Sequence, residues 1–195
     1  MTLLRTKRLD LVPMTLEMVQ AVMLGRKDDS ELFAGARMPE RWPNHELIER
    51  AFPISLEEMR ADPAARLWGA RVMITGGERD AGAPADARFE RRVVGSVVFR
   101  HGFPDDGVAE IAYGVEEASQ RQGYATEAVT ACVAWALAQE GVHAVRAATF
   151  EWHHPSVRVL TASGMTHVGA REHETMGEMA VFERESASMK VRGPA

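Results

Sequence analysis

Cysteine is nearly absent: Cys132 is the sole thiol among 195 residues. One thiol closes no internal disulfide and builds no thiolate metal cage, which excludes a disulfide-stapled secreted scaffold and a cysteine zinc site and suits a reducing compartment. A membrane-length apolar run is missing too. The longest, Ala128 to Ala138, includes Thr130 and falls well short of the ~20 residues that a spanning helix needs. Met1 to Asp10, with Arg5, Lys7, Arg8 and Asp10, holds no apolar core of signal-peptide length. The expectation is a cytoplasmic protein without a membrane partner. An excess of positive charge is also lacking, since 23 basic and 28 acidic residues leave a formal charge of −5. Nothing draws such a chain to phosphate backbones, so no nucleic acid partner is expected.

What is present suffices for a core. Apolar residues make up 46% and charged residues 26%, a balance unlike that of a disordered chain. The length fits one domain over residues 1–195.

Leu9, Leu11 and Val12 predict a strand before Pro13, and Thr15 is placed to cap a helix over Leu16 to Leu24. Gly35, Pro39, Pro43 and Asn44 interrupt the pattern. A second helix is expected from Asn44 to about Arg60, kinked or split at Pro53. Leu67 to Thr75 and Arg92 to Arg100 read as strands around a hairpin loop at Gly76 to Arg88, with a third strand at Val108 to Val115. Gly123 to Glu140 is the clearest helix, with an apolar stripe of Val129, Cys132, Val133, Ala136 and Leu137 and a stop at Gly141. A strand at Ala144 to Phe150, a helix at Pro155 to Ser163 and a strand at Glu178 to Glu183 complete an α+β pattern, one mixed sheet flanked by helices.

The segment that carries chemistry is Gln120-Arg121-Gln122-Gly123-Tyr124-Ala125-Thr126, between a strand and the long helix. Such a turn exposes backbone N–H groups at a helix N-terminus, where the helix dipole favours a pyrophosphate. Gln120, Gly123 and Ala125 match the pattern Arg/Gln-x-x-Gly-x-Gly/Ala. Thr6-Lys7-Arg8-Leu9, Glu110-Ile111-Ala112-Tyr113-Gly114-Val115 and Ser156-Val157-Arg158-Val159-Leu160 with Gly164-Met165 follow in matching order. In these four segments the chain resembles the GCN-five-related N-acetyltransferases, the GNAT superfamily, and within it the ribosomal-protein N-terminal acetyltransferase branch.

That resemblance implies an acyl-CoA N-acyltransferase fold with a mixed, mostly antiparallel central sheet flanked by helices. It implies acetyl-CoA as cosubstrate, no metal, and an amine acceptor, either a protein N-terminus or a small molecule, and it leaves room for a homodimer. The alternative from another class is a non-catalytic acyl-CoA-binding regulatory module. On the family pattern, residues Gln120 to Thr126 hold the pyrophosphate and the backbone of Tyr113, Gly114 and Val115 serves the acyl group and its oxyanion. His153 stands where relatives carry an Asn beside the pantetheine arm; its imidazole still forms one hydrogen bond. Where many relatives carry a Tyr acid stands Leu160, which cannot donate.

An amine with pKa near ~10.4 is almost fully protonated at neutral pH, so attack requires a base. The resemblance points to Glu110 as the candidate base, since relatives draw a carboxylate, or a water held by one, from this strand; its alternative is a solvated or Arg-paired strand residue. Ser156 is the candidate acid for the departing thiolate, its alternative a helix cap. His101 and His173 are the reserve bases. Glu151, His153 and His154 lack a metal-ligand pattern, Glu174 reads with His173 as a loop, and Met14, Met18, Met23 and Cys132 read as core. Phe33, Trp42 and Trp68 fall in or near the region between the first two helices, which the resemblance implies is one wall of the acceptor groove, with Glu31 a candidate for favouring cationic amines.

Overall fold

The computed structural model describes residues 3–40, 52–75, 91–100 and 103–187. Its strands are β1 (Leu4–Arg5), β2 (Leu9–Pro13), β3 (Ala70–Thr75), β4 (Arg92–Arg100), β5 (Val108–Val115), β6 (Ala144–Thr149), β7 (Thr166–His173) and β8 (Gly177–Glu185). They form one sheet in the order β1-β2-β3-β4-β5-β6-β8-β7, in which β5 and β6 run parallel and the other neighbours antiparallel. The helices are α1 (Leu16–Met23), α2 (Lys27–Ala34), α3 (Phe52–Ala61), α4 (Tyr124–Leu137) and α5 (His154–Ala162). Among the described residues no helix is long and apolar enough to cross a membrane.

Alternation along the strands supplies both faces with apolar side chains. On one face Leu11, Met73, Val97, Phe99, Ala109 and Ile111 pack against Val129, Cys132, Val133 and Ala136 of α4 and Leu160 of α5. On the other, Val72, Ile74, Val93 and Val98 pack against Met18, Val19 and Val22 of α1 and Met59 of α3. Covered on both sides, β3 reads as a nearly continuous apolar run. Its exception is Arg71, wholly buried, which donates to the Leu67 carbonyl at 3.0 Å and lies 4.3 Å from the Trp135 ring centroid.

Several expectations hold at the level of chemistry. Thr15 caps α1, its side chain accepting from the Met18 amide at 3.3 Å. Others shift. The segment Pro63–Trp68 is a 3-10 helix, so β3 begins only at Ala70; Trp68 turns into a ring cluster with Phe99, Phe103 and Trp135 at centroid distances of 5.3, 5.3 and 4.8 Å. Trp68 is thus core and not a groove wall. Pro53 lies in α3 beside residues outside those described, so the expected kink or split there falls at that boundary. The rest of the expected Asn44 helix start, the Gly76–Arg88 loop, Trp42 and His101 lie outside the described residues. Three elements went unpredicted, the two-residue β1 among them. Helix α2 buries only Ser30 and Ala34 and so has almost no apolar stripe, and β7 is exposed along nearly its whole length.

Candidate active site

The parallel pair determines where a cleft can exist. β5 and β6 pair over only Val108↔Ala144, Ala109↔Val145 and Glu110↔Arg146, yet β5 continues to Val115 and β6 to Thr149. Past Glu110 the two strands part, leaving a split at their carboxyl ends. Each strand feeds a helix there, β5 into α4 and β6 into α5. Both helix N-termini therefore flank the opening, the usual place for a ligand beside parallel strands.

The turn into α4 is built as an anion cradle. Ser119 donates to Glu116 at 2.5 Å and Gln120 Nε2 donates to the Val115 carbonyl at 3.2 Å, which anchors the turn to the end of β5. Arg121 (φ 60°) and Gly123 (φ 82°) are both left-handed, and Arg121 is the one non-glycine residue with positive φ among those described. Alternating left-handed residues turn successive N–H groups toward one side. From Arg121 to Thr126 no backbone N–H donates to an acceptor among the described residues. These donors head a helix of 14 residues, whose dipole adds roughly half a positive charge. A pyrophosphate fits such a donor set.

Arg8, which lies in the opening-strand signature, joins the cradle. Its Nη1 donates to the Gln122 carbonyl at 2.8 Å, its guanidinium lies 4.8 Å from the Tyr124 ring centroid, and its Nη2 stands 3.3 Å from where a Cβ on Gly123 would be. Glu127 holds it there, accepting from Arg8 Nε at 2.7 Å, from the Arg8 amide at 2.7 Å and from Thr6 Oγ1 at 2.6 Å. The signal was an Arg in the turn before β2 and an acid in the first turn of α4, which no local pattern links.

Burial alone would raise the Glu127 carboxyl, but hydrogen bonds from Thr6 and Arg8 and the Arg8 charge outweigh it and hold the group below its ordinary value of about 4.5. A depressed folded-state pKa stabilises the fold above the unfolded value, and the gain disappears as pH falls through the lower folded value. Melting temperatures of Glu127→Gln and the parent should accordingly differ at neutral pH, the gap beginning to close near about pH 4, where an unfolded Glu protonates, and vanishing once pH falls below the lowered folded value. A gap that persists in acid would show that charge is not what Glu127 contributes.

Along β5, side chains alternate between the faces. Gly95 on β4 must be glycine, because a Cβ there would lie 2.2 Å from the Gly114 carbonyl oxygen, whereas a Cβ on Gly114 would meet nothing within 4 Å. The backbone at Gly114 is thus open to an approaching group. Tyr113 points to the α5 side and donates to the Ser156 carbonyl at 3.2 Å, tying β5 to the first turn of α5. Burial pushes its phenol above the ordinary value of 10, so it is protonated at neutral pH.

Glu110 occupies the last rung before the strands part. Both its oxygens accept from Arg171 of β7, at 2.9 and 2.8 Å, and Arg100 Nη1 is 4.0 Å away. The Arg171 guanidinium is held above its ordinary value by the Glu110 hydrogen bonds, against the effect of burial. The Glu110 carboxylate is thus held between β7 and β4 by Arg171 and Arg100.

Ser156 is the third residue of α5, and its hydroxyl has no hydrogen bond among the described residues. The N-cap position belongs to His153, which makes no side-chain cap bond. The capping alternative for Ser156 therefore falls away. His153 is exposed, its ring edge-on to Trp152 at 6.0 Å. Leu160 is buried beneath α4. Glu31 is engaged, accepting from the Met38 amide at 3.0 Å, and Phe33 is exposed on α2. His173 ends β7 with Nδ1 accepting from the Thr175 amide at 3.3 Å. Cys132 is buried, its thiol pushed up to about 12 by burial, which makes it an inert hydrophobe. Among the described residues no cluster of His, Cys, Asp or Glu can hold a metal.

A splayed parallel pair with a phosphate cradle at its mouth suits a protein that holds a long phosphorylated ligand between two strands. The chain belongs to the GNAT acetyltransferase family: the acetyltransferase (GNAT) domain model matches residues 8–166. It is an acetyl-CoA-dependent acetyltransferase, with acetyl-CoA as cosubstrate. Solved structures agree in fold. A putative GnaT-family acetyltransferase from Bordetella pertussis is 23% identical, with 94% of this chain and 99% of that one covered and a TM-score of 0.60. The ribosomal-protein-S5-alanine acetyltransferase from Vibrio fischeri is 14% identical, covering 96% and 98%, at 0.61. The ribosomal L7/L12 α-N-protein acetyltransferase RimL, solved with coenzyme A, is 12% identical, covering 94% and 98%, at 0.61. No curated protein matches the sequence significantly.

Proposed function

We propose that the protein transfers the acetyl group of acetyl-CoA directly to a primary amine, on a protein N-terminus or a small molecule, in the cytoplasm. The observation that carries this is the row of free N–H groups from Arg121 to Thr126 beside the split between β5 and β6. Bound acetyl-CoA supplies an activated thioester. Gln120, Arg121, Gln122, Gly123, Tyr124, Ala125 and Thr126 hold its pyrophosphate, with the Arg8 guanidinium adding a charge-assisted contact. Backbone donors of Tyr113, Gly114 and Val115 face the acyl oxygen, and His153 borders the pantetheine arm. Glu110 removes the amine proton through a water, because Arg171 already occupies both carboxylate oxygens on one side.

Two hydroxyls are candidates for protonating the thiolate, Ser156 and Tyr113, the second because its phenol is protonated and already lies at the first turn of α5. Their variants separate the roles. If Ser156 is the acid, Ser156→Ala should lower kcat about 10²-fold at every pH and Tyr113→Phe by under threefold; the reverse assigns the proton to Tyr113. Equal small losses in stopped assays of CoA release would remove both.

The test of the reading itself is CoA release from purified protein given acetyl-CoA and a panel of free-N-terminus peptides, polyamines, aminoglycosides and arylalkylamines. Turnover on any member supports it. Tight CoA binding with no turnover on a broad panel would leave a non-catalytic acyl-CoA-binding module.

A further inference from the structure

The loop between β6 and α5 holds rings that the proposed chemistry does not use. Phe150 directly follows the last residue of β6, and Trp152 lies two positions on, just before α5. Their rings are stacked, with centroids 5.1 Å apart and planes 10° from parallel. His173, at the end of β7, tilts onto Phe150 at 5.5 Å and 60°. The indole of Trp152 is nevertheless 63% exposed, its one other ring neighbour among the described residues being the edge of His153. Single exposed hydrophobic residues are ordinary on a protein surface. A ring pile braced from two elements, ending in an open indole and carried just past the strand that forms one wall of the split, is a different arrangement.

We infer that Trp152, backed by Phe150, is a stacking platform for the acceptor, and that the acceptor carries a flat aromatic ring. This rests on the acetyl-transfer reading. The platform's position follows from β6, which forms one wall of the split and delivers Phe150 to its rim. From Arg146, level with Glu110, to Phe150 is four residues, or about 13 Å of extended strand. An amine near Glu110 and a ring on Trp152 are then bridged by a linker of a few bonds to a short peptide. Geometry favours an aromatic ring: the Phe150 and Trp152 planes lie 10° from parallel, and a third flat ring extends that pile face to face on the open indole.

The experiment compares matched acceptors with wild type, Trp152→Ala and Trp152→Phe. One pair is a tripeptide amide with phenylalanine or leucine at its third position; the other is an arylalkylamine or an alkylamine of equal length. These arms separate a peptide side chain from a small-molecule ring. In wild type, kcat/KM for the aromatic member of at least one pair should exceed its partner by about tenfold, the scale of one stacking contact. Trp152→Ala should collapse that ratio toward one, and Trp152→Phe should retain most of it. Equal wild-type rates within both pairs, an equal proportional loss on both members in Trp152→Ala, or a polyamine as the best acceptor would overturn the inference. If no amine is turned over, quenching of tryptophan fluorescence by the aromatic amine with CoA present still decides. Quenching that Trp152→Phe abolishes supports the platform while the transfer reading fails, and no quenching in wild type overturns the platform.

Discussion

Glu110→Gln is expected to lower kcat/KM by about 10²–10³-fold at neutral pH while leaving CoA affinity unchanged, because only proton transfer is lost. The deficit should shrink as pH rises. An acceptor amine of pKa near ~10.4 exists almost wholly as the ammonium at neutral pH, and its free-base fraction grows about tenfold per pH unit until that pKa is approached. An enzymic base then matters progressively less. Arg171→Gln is the necessary companion, since Arg171 takes both Glu110 oxygens. If Glu110 only anchors β7, the two variants lose activity equally and without pH dependence. If Glu110 is the base, Arg171→Gln loses far less at neutral pH and shows no such convergence. Full neutral-pH activity in Glu110→Gln would exclude the carboxylate, leaving His173 or an amine that enters deprotonated.

The elements legible in the sequence are those whose side chains face a packed surface. Helix α4 announces itself through Val129, Cys132, Val133 and Ala136, all buried, and β3 to β5 through Val and Ile runs covered by helices. β7 stayed hidden for the opposite reason: only His173 among its residues is even half-buried, so no alternation marks it. It is held by its backbone ladder to β8 and by the Arg171 fork on Glu110. Helix α2 was missed likewise, its ends set by Asp28 and Asp29 in the first turn and left-handed Gly35 after the last.

The site divides along a similar line. Its backbone part was legible, because a Gly before a helix and a strand before that Gly are local features, and the structure places the turn at the carboxyl end of β5. Its side-chain part depends on contacts between distant segments. Arg8 reaches Gln122 across 114 positions and Arg171 reaches Glu110 across 61. Neither partner carries a local mark of the other. Trp68 erred in the opposite direction: an aromatic residue near an expected groove reads as a wall, but its ring found Phe99 and Trp135 on the far side of β3. Local sequence thus exposes which backbone is left unpaired, and tertiary packing decides which charges and rings meet it.

That asymmetry makes Gly123→Val the sharpest test of where the phosphates sit. Gly123 is left-handed at φ 82°, a conformation that a β-branched residue resists. Its missing side chain also leaves room in front of the donors, since a Cβ there would stand 3.3 Å from Arg8 Nη2. Valine would both strain the turn and push Arg8 aside, so the dissociation constant for CoA should rise about 10²-fold or more, equivalent to roughly 3 kcal/mol. Arg121→Gly provides the contrast. Arg121 is left-handed too, so glycine relieves strain and keeps every backbone donor, and CoA affinity should fall by under about tenfold, the loss of one exposed cation. Pantetheine, which lacks the pyrophosphate, should bind Gly123→Val and the parent alike, which separates a blocked cradle from a misfolded chain. Calorimetry on these ligands measures all three. Equal CoA affinity for Gly123→Val and the parent would remove the pyrophosphate from the 120–126 turn.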